Sequence, residues 1–353
     1  MEKMYVLKNV DYVFSGRSIL MNMDIPSEHA DILMLSLLDA DQKGIYTHGF
    51  YRMQSYTTQI DRGNINPKPD IKKIKNGTNI IVMDADNGLG SVAGWYAMQE
   101  AIKMSGKRGI GVVGVRKSNH FGAAAYYSEM ASKENHIGIA MTNASPAIAP
   151  TGSKKALLGN NPWSISVPTR LGHPITLDIA NSVAARGKIR LKALKGEEIP
   201  LGWAMDNKGE PTINAREALE GVILPIGNYK GYGITLMIDI LAGVLMGANF
   251  GDGVPLLDDD AIRNNGHLFI SMNPDAFMDI TDFMDRIDTL AQIIRSAPRI
   301  DEDVEILLPG EKEWKTKLSQ ESEKVKVPER VFKFIHSLCD QYDVQLPQYQ
   351  SVS

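Results

Sequence analysis

GIGVVG, residues 109–114, matches the spacing G-x-G-x-x-G letter for letter. That spacing marks a dinucleotide-binding fold when its glycines form a turn after a strand and open a helix whose N-terminus faces a pyrophosphate. Here the glycines lie inside an apolar, β-like run, GIGVVGV (109–115), and the next helical pattern starts only after RKSNHFG (116–122). Glycine inside a strand marks close packing or a bulge. The stretch therefore reads as a strand, and the Rossmann reading is set aside.

Outward from this strand the texture alternates. NIIVMDA (79–85) reads as a strand and VAGWYAMQEAIKMSGK (92–107) as a helix. AAAYYSEMASKEN (123–135) follows as a helix, and HIGIAMTN (136–143), WSISVPT (163–169) and PITLDIA (174–180) as strands. Strands alternating with helices predict an α/β body. Before it, SEHADILMLSLLDADQKG (27–44) predicts a helix with Ser27 as N-cap and Gly44 as stop. RMQSYTTQIDRG (52–63) predicts a second helix, and the proline-bearing connector NINPKPD (64–70) a domain boundary. Beyond residue 310, EKEWKTKLSQESEKVK and PERVFKFIHSLCDQY return to a helical, charged texture. The two ends are expected to pack as one helical unit. That places one domain at 1–72 with 312–353 and a second at 73–311. The apolar run ITLMIDILAGVLMGANF (234–250) is short for a membrane span and is interrupted by Asp239, so it predicts a buried helix.

Composition narrows the class. The 353 residues carry a net charge of −4, which offers no basic face for nucleic acid. A single cysteine, Cys339, excludes an internal disulfide and a cysteine-built metal site, and it fits a reducing compartment. MEKMYVLKNVDYV lacks the basic start and continuous apolar core of a signal peptide, so a cytoplasmic protein is expected. The seven histidines form no H-E-x-x-H or close pair, and no metal site is expected.

THGFYRM (47–53) sets His48 and Arg52 four residues apart, on one face if the segment is helical. A histidine passes a proton near neutral pH, and an arginine grips a carboxylate through two parallel bonds. His120 lies in a polar loop between a strand and a helix, where functional residues concentrate. In TLDIANSVAARGKIR (176–190), Asp178 either caps the following turn or accepts from a ribose hydroxyl, and Arg186 and Lys188 either meet phosphates or face solvent. GNYKGYG (227–233) places Lys230 among glycines ahead of an apolar helix, a loop able to cradle an anion.

Ten segments in register carry a resemblance. They are THGFYR (47–52), GNINPKP (63–69), GLGSVAGWYAMQEAI (88–102), SNHFGAAAYY (118–127), GIAMTNASPAIAP (138–150), LGNNP (158–162), LDIANSVAARGKI (177–189), IPLGWAMDNKGEPT (199–212), LPIGNYKGYGITLMIDILAGVLMGA (224–248) and PGE (309–311). From about residue 25 to about residue 330 the chain resembles the type-2 malate/L-lactate dehydrogenase family. That family includes ureidoglycolate, sulfolactate and 2,3-diketo-L-gulonate oxidoreductases and an imine reductase.

The resemblance implies an α/β fold of α+β type. Its non-Rossmann nicotinamide-binding domain has a mixed, largely antiparallel sheet and joins a helical domain built from both chain ends. It implies a homodimer, and NAD or NADP as cofactor, with NAD favoured. His48 matches the family's S-H-G histidine and His120 its N-H-F-G histidine, each described as the acid/base in different members. Arg52 matches the carboxylate-binding arginine, and Thr47 stands beside it in the substrate site where serine is usual. Ile175, Asp178, Ile179, Ala180 and Asn181 fall on the strand end that lines the dinucleotide. Lys230 and Gly231 match cofactor-contacting residues, and Gly310 and Glu311 a C-terminal loop that reaches the cofactor. Asn160, Asn181, Asn228 and the Thr151–Ser153 turn depart from the family pattern and bear on substrate and on NAD against NADP. The implied reaction is hydride transfer between NAD(P)H and a small 2-oxo acid. A cyclic-imine reductase and a non-catalytic binding protein on the same fold are the alternatives.

Overall fold

The computed structural model describes residues 3–321 and 323–352. MYVLK, with Tyr5, Val6 and Leu7 buried, forms strand β1 (Met4–Lys8), which leads into helices α1 (Asn9–Asn22) and α2 (Ser27–Gln42). A 3-10 turn, Phe50–Arg52, runs into α3 (Met53–Asp61). The body begins with β2 (Lys72–Asn76), β3 (Ile80–Asp84), α4 (Gly90–Arg108), β4 (Ile110–Ser118) and α5 (Ala124–Lys133). It continues with β5 (Ile137–Thr142), β6 (Trp163–Val167) and β7 (Ile175–Ile179). A small unit follows, of α6 (Arg186–Lys195), β8 (Ala204–Met205), β9 (Pro211–Thr212), α7 (Ala215–Glu220) and β10 (Val222–Ile223). Then come α8 (Tyr229–Ile238), a π-helical segment (Asp239–Val244), β11 (Asn265–Met272) and α9 (Ile280–Arg295). The chain ends in α10 (Glu311–Leu318), β12 (Lys324–Pro328), α11 (Glu329–Gln341) and β13 (Tyr349–Val352).

Seven strands form the main sheet in the order β2-β3-β4-β11-β5-β6-β7. Only the β3–β4 pair is parallel; the other five are antiparallel. From Ile110 the GIGVVG stretch is strand, as its apolar run implies; Gly109, at φ +81, ends α4, and Gly111 and Gly114 are packing positions. A Cβ on Gly111 would sit 2.2 Å from the Ala101 carbonyl oxygen of α4, and one on Gly114 would sit 1.9 Å from Met246 Sδ on the opposite face. Side-chain alternation in β11 divides the two cores. Phe269 packs with Val113, Val115, Ala97 and Tyr127 under α4 and α5, and Leu268 packs with Met141, Ala242 and Met246 on the other side.

A third core draws on both ends of the chain: Tyr5, Leu7, Tyr12, Leu33, Phe50 and Tyr56 meet Val325, Val327, Phe332 and Ile335. This unit is not purely helical, which corrects the expectation from the terminal textures. A three-stranded sheet, β12-β1-β13, stands at its edge. Lys324–Pro328 alternates with period two, and its buried Val325 and Val327 pair antiparallel with Leu7 and Tyr5. The alternation is hidden inside a run of lysines and glutamates that reads as helix. The 234–250 run also departs from the buried helix expected. Ile238, Ala242 and Met246 pack on the sheet, but Met237, Val244 and Leu245 are about half exposed or more (54%, 48% and 64%). Among the described residues no helix is long and apolar enough to cross a membrane.

The close approach at Gly111 makes a direct statement about the rejected motif. Replacing Gly111 by Ala should lower unfolding free energy by about 1–3 kcal/mol through overpacking against α4. Cofactor affinity should be unchanged in the folded fraction. Calorimetric melting and a fluorescence titration with reduced nicotinamide cofactor check both halves.

Candidate active site

The segment after α2 builds one wall of a cleft. Gly44 takes φ +75, and the chain turns so that His48 N donates to Ile45 O (2.8 Å) and Arg52 N to Gly49 O (2.9 Å). His48 precedes the 3-10 turn, so His48 and Arg52 do not share an α-helical face as their spacing suggested. They meet because the turn folds back: Arg52 Nε donates to Thr47 O at 2.6 Å, and Thr47 Oγ1 lies 3.1 Å from His48 Nδ1.

The opposite wall is the loop between β4 and α5. The His120 ring lies 5.9 Å from that of His48, with the planes 25° apart. Two donors converge on His120 Nδ1, the Tyr56 hydroxyl at 2.8 Å and Gly122 N at 3.3 Å. A backbone N–H can only donate, so Nδ1 accepts and the neutral ring carries its proton on Nε2. Both imidazoles keep an edge on the cleft while protein surrounds the rest. Burial, then the Arg52 guanidinium, pushes His48 down to about 3. Burial, then Arg52, His48, Arg263 and His267, holds His120 well below the usual histidine range. At neutral pH both rings are uncharged beside a fixed cation.

The strand end singled out in the sequence lies at the sheet's edge. Asp178 Oδ2 accepts from Ala125 N (2.9 Å), so it caps α5, the helix that follows His120. Asn181 is buried and donates to Asn160 O (3.3 Å) and Asn161 O (2.8 Å), which fastens the GNNP loop to the end of β7. Gly231 packs on Ile226 and Asn181 backbone atoms, where a Cβ would meet Ile226 O at 2.5 Å. Gly310, at φ +82, lies over Thr176 of β7, and Thr176 N donates to Pro309 O (3.0 Å). Glu311 is buried; it accepts from Leu308 N (2.9 Å) and pairs with Arg295 (3.1 Å) and Lys315 (3.4 Å), so its carboxylate holds the turn itself. Lys230, exposed in the first turn of α8, lines a cavity of about 710 Å³ with Trp163, Tyr229, Ile234, Met237 and Ile238. Trp163 pairs with Ile179, so this cavity adjoins β7. An apolar cavity with one ammonium at a helix start, beside a buried indole N–H that has no partner, fits a dinucleotide.

Three residues escaped the sequence reading. Tyr56 continues the spacing His48, Arg52, Tyr56, and that periodicity was the signal available for it. Arg263 is buried and bonds Asn265 Oδ1 (3.0 Å), Pro255 O (2.7 Å) and Ser145 Oγ (3.1 Å); nothing in its local sequence points to the cleft. Arg190 follows Gly187 by one turn of α6, and a Cβ placed on Gly187 would lie 3.8 Å from Thr47 Cγ2. The positive charge of Arg190 acts on Arg52.

Comparison with known proteins gives one consistent result. The family described as malate/L-lactate dehydrogenase matches residues 15–336. L-sulfolactate dehydrogenase of Methanocaldococcus jannaschii is 39% identical over 94% of this chain and 95% of its own length. Malate dehydrogenase of Pyrococcus abyssi is 39% identical over 84% of each chain. The solved structure of sulfolactate dehydrogenase from Methanocaldococcus jannaschii superposes with a TM-score of 0.90 over 97% of this chain and 98% of that one.

The His120 geometry predicts a spectroscopic signature. Imidazole ¹⁵N shifts should report a neutral ring protonated on Nε2 from about pH 5.5 to 8, the span in which an ordinary histidine titrates. Tyr56→Phe removes one donor to Nδ1 and should raise KM by about 3–10-fold, the size of one hydrogen bond. A ring titrating near pH 6.5 in the folded protein would contradict this assignment.

Proposed function

This chain belongs to the malate/L-lactate dehydrogenase family, NAD(P)-linked enzymes of 2-hydroxy acids, and from that premise we propose a division of labour among its cleft residues. The observation that carries the proposal is the pair of imidazoles 5.9 Å apart beside Arg52. Arg52 grips the carboxylate of a 2-oxo acid, which sets the neighbouring ketone between His48 and His120. His120, protonated on Nε2, donates a hydrogen bond to the ketone oxygen and orients it. His48 is the proton donor. His120 suits that role less, because an imidazolium there would turn an Nδ1 proton toward the Gly122 N–H. The substrate carboxylate offsets the Arg52 field that helps keep His48 neutral, so His48 gains its proton as substrate binds. It passes that proton to the developing alkoxide. A reduced nicotinamide supplies the hydride, and Lys230, the 175–181 strand end and the 310–311 turn would hold the dinucleotide. In oxidation the neutral His48 takes the hydroxyl proton.

The cations around Arg52 favour a substrate with a second anionic group. Arg190 and Arg263 both act on Arg52, against the single carboxylate of Asp258. A 2-oxo dicarboxylate or a sulfonated 2-oxo acid supplies the matching charge, as the names of the malate and sulfolactate relatives suggest. We favour NAD over NADP because three carboxylates, Asp178, Glu129 and Glu313, gather at that edge against the single ammonium of Lys43, which opposes an extra phosphate there. Exposed Val244 and Leu245 support self-association as a homodimer, which light scattering tests.

The deciding assay follows nicotinamide absorbance with NADH and NADPH separately, against oxaloacetate, 3-sulfopyruvate, pyruvate and a cyclic imino acid. The dianionic 2-oxo acids should exceed pyruvate in kcat/KM by about 10-fold or more, the worth of one added charge-assisted contact. Arg52→Ala should cost about 2–5 kcal/mol in kcat/KM, and lysine should rescue poorly because it lacks the planar fork.

His48→Gln should lower kcat for reduction by about 10²–10⁴, whereas His120→Gln should chiefly raise KM. The reverse pattern would transfer the proton to His120.

A further inference from the structure

Below the His48–Arg52 turn lies a carboxylate that the reaction does not use. Asp41, in the last turn of α2, is completely buried. Its Oδ2 accepts two hydrogen bonds, from Tyr12 Oη of α1 at 2.7 Å and from Phe50 N at 2.9 Å. Phe50 opens the 3-10 turn that ends at Arg52. The other oxygen, Oδ1, is buried and has no hydrogen-bond partner. It stands 1.8 Å from where a Cβ on Gly49 would be, so the carboxylate fills the space of the missing side chain and touches the backbone directly after His48. This explains the glycine in THGF by sterics rather than by φ, since Gly49 has φ −85.

The surroundings of Asp41 are neutral. Tyr12 is the titratable group bonded to it, and the Tyr12 ring meets Phe50 edge-on at 5.2 Å, with Phe334 of α11 behind at 6.5 Å. Among the described residues no ion pair reaches Asp41. A lone carboxylate in an apolar pocket is costly to hold unless its contacts are needed there. What those contacts hold is the backbone that carries both His48 and Arg52.

We propose that Asp41 is a positioning residue: its carboxylate pins the Gly49–Phe50 backbone and so sets the distance between the His48 ring and the Arg52 guanidinium. The inference rests on the roles assigned above to His48 and Arg52. Its physical basis is the difference between a charged and a neutral acceptor. An ionised Oδ2 holds the Tyr12 hydroxyl and the Phe50 N–H about twice as strongly as a neutral one. Burial raises the Asp41 carboxyl to about 7, against the Phe50 N–H and Tyr12 hydroxyl that lower it. The pin is therefore strong above that pH and weak below it.

The test uses the full-length enzyme. Asp41→Asn keeps volume and one acceptor oxygen but never ionises. At pH 8 it should lose about 10-fold in kcat/KM for the 2-oxo acid. Cofactor Kd should be unchanged, and the acid limb near pH 7 of the wild-type kcat/KM profile should vanish. A variant with native melting temperature, wild-type kcat/KM and an unchanged profile overturns the proposal. Tyr12→Phe covers the case in which Asp41→Asn fails to fold, because it keeps the ring packing and removes one donor. Losing that donor should move the acid limb to higher pH, and an unmoved limb overturns the proposal as well. Arg52→Ala separates the two levels: if it collapses kcat/KM while Asp41→Asn is silent, only the pin is wrong. If Arg52→Ala is silent, the site assignment falls, and the pin falls with it.

Discussion

The hydrogen bond between Tyr56 Oη and His120 Nδ1, at 2.8 Å, joins parts of the chain that are 64 residues apart. Tyr56 belongs to α3, which continues directly from the His48–Arg52 turn, and His120 belongs to the loop that leaves the central sheet. The bond therefore measures the gap between the two walls of the cleft. Everything else about the site depends on that gap. If the walls moved apart by the length of a water molecule, the two imidazoles would no longer face each other across one small space, and Arg52 would act on His48 alone.

Several independent contacts keep the gap closed. Lys43, at the end of α2, pairs at 2.6 Å with both Asp39 on its own helix and Glu129 of α5, and Lys317 of α10 adds a second cation to Asp39. The Lys43–Glu129 pair ties the terminal unit to the helix that follows His120. Burial opposes the Lys43 ammonium, yet the two carboxylates keep it charged. On the far side of α3, Gln59 donates to Leu257 O (2.9 Å) and Asp259 O (3.0 Å), and Asn64 donates to Asp260 Oδ1 (2.8 Å). That loop returns to Arg263, whose bonds to Ser145 and Asn265 anchor it to the sheet. The cleft is thus closed from two sides by polar contacts that an apolar interface could not orient so specifically.

Electrostatics and packing then fit the same task. Two histidines at the surface would titrate near neutral pH and leave the charge of the cleft variable. Crowded by protein and by Arg52, both are neutral before substrate binds, so the fixed charge in the cleft is cationic and suited to an acid substrate. Close backbone approaches allow the crowding. The sheet meets the α4 backbone at Gly111, and at Gly114 it makes room for the Met246 side chain just after the π-helical segment, so the layers pack closely on both faces.

Period and chemical type are local properties, and they were readable in one dimension. GIGVVG read as strand because its glycines sit in an apolar run with no helix opening behind it, and β4 is strand. His48, Arg52, His120 and the 175–181 strand end carried their chemistry in residue type and loop position. The sequence alone thus determined the α/β class, the rejection of a dinucleotide turn and the family resemblance. Where a side chain points was decided elsewhere. Lys324–Pro328 is strand because β1, more than 300 positions away in the chain, offers it an edge. The 234–250 run is apolar throughout, and only packing on β11 settles which of its residues are covered. The Glu311 carboxylate accepts from Leu308 N and pairs with Arg295, contacts that its residue type alone does not give. Tyr56, Arg263 and Asp41 gain their roles from partners that are distant in sequence or set by a folded turn. Such contacts exist only once loop closure has been achieved, and no local pattern encodes them.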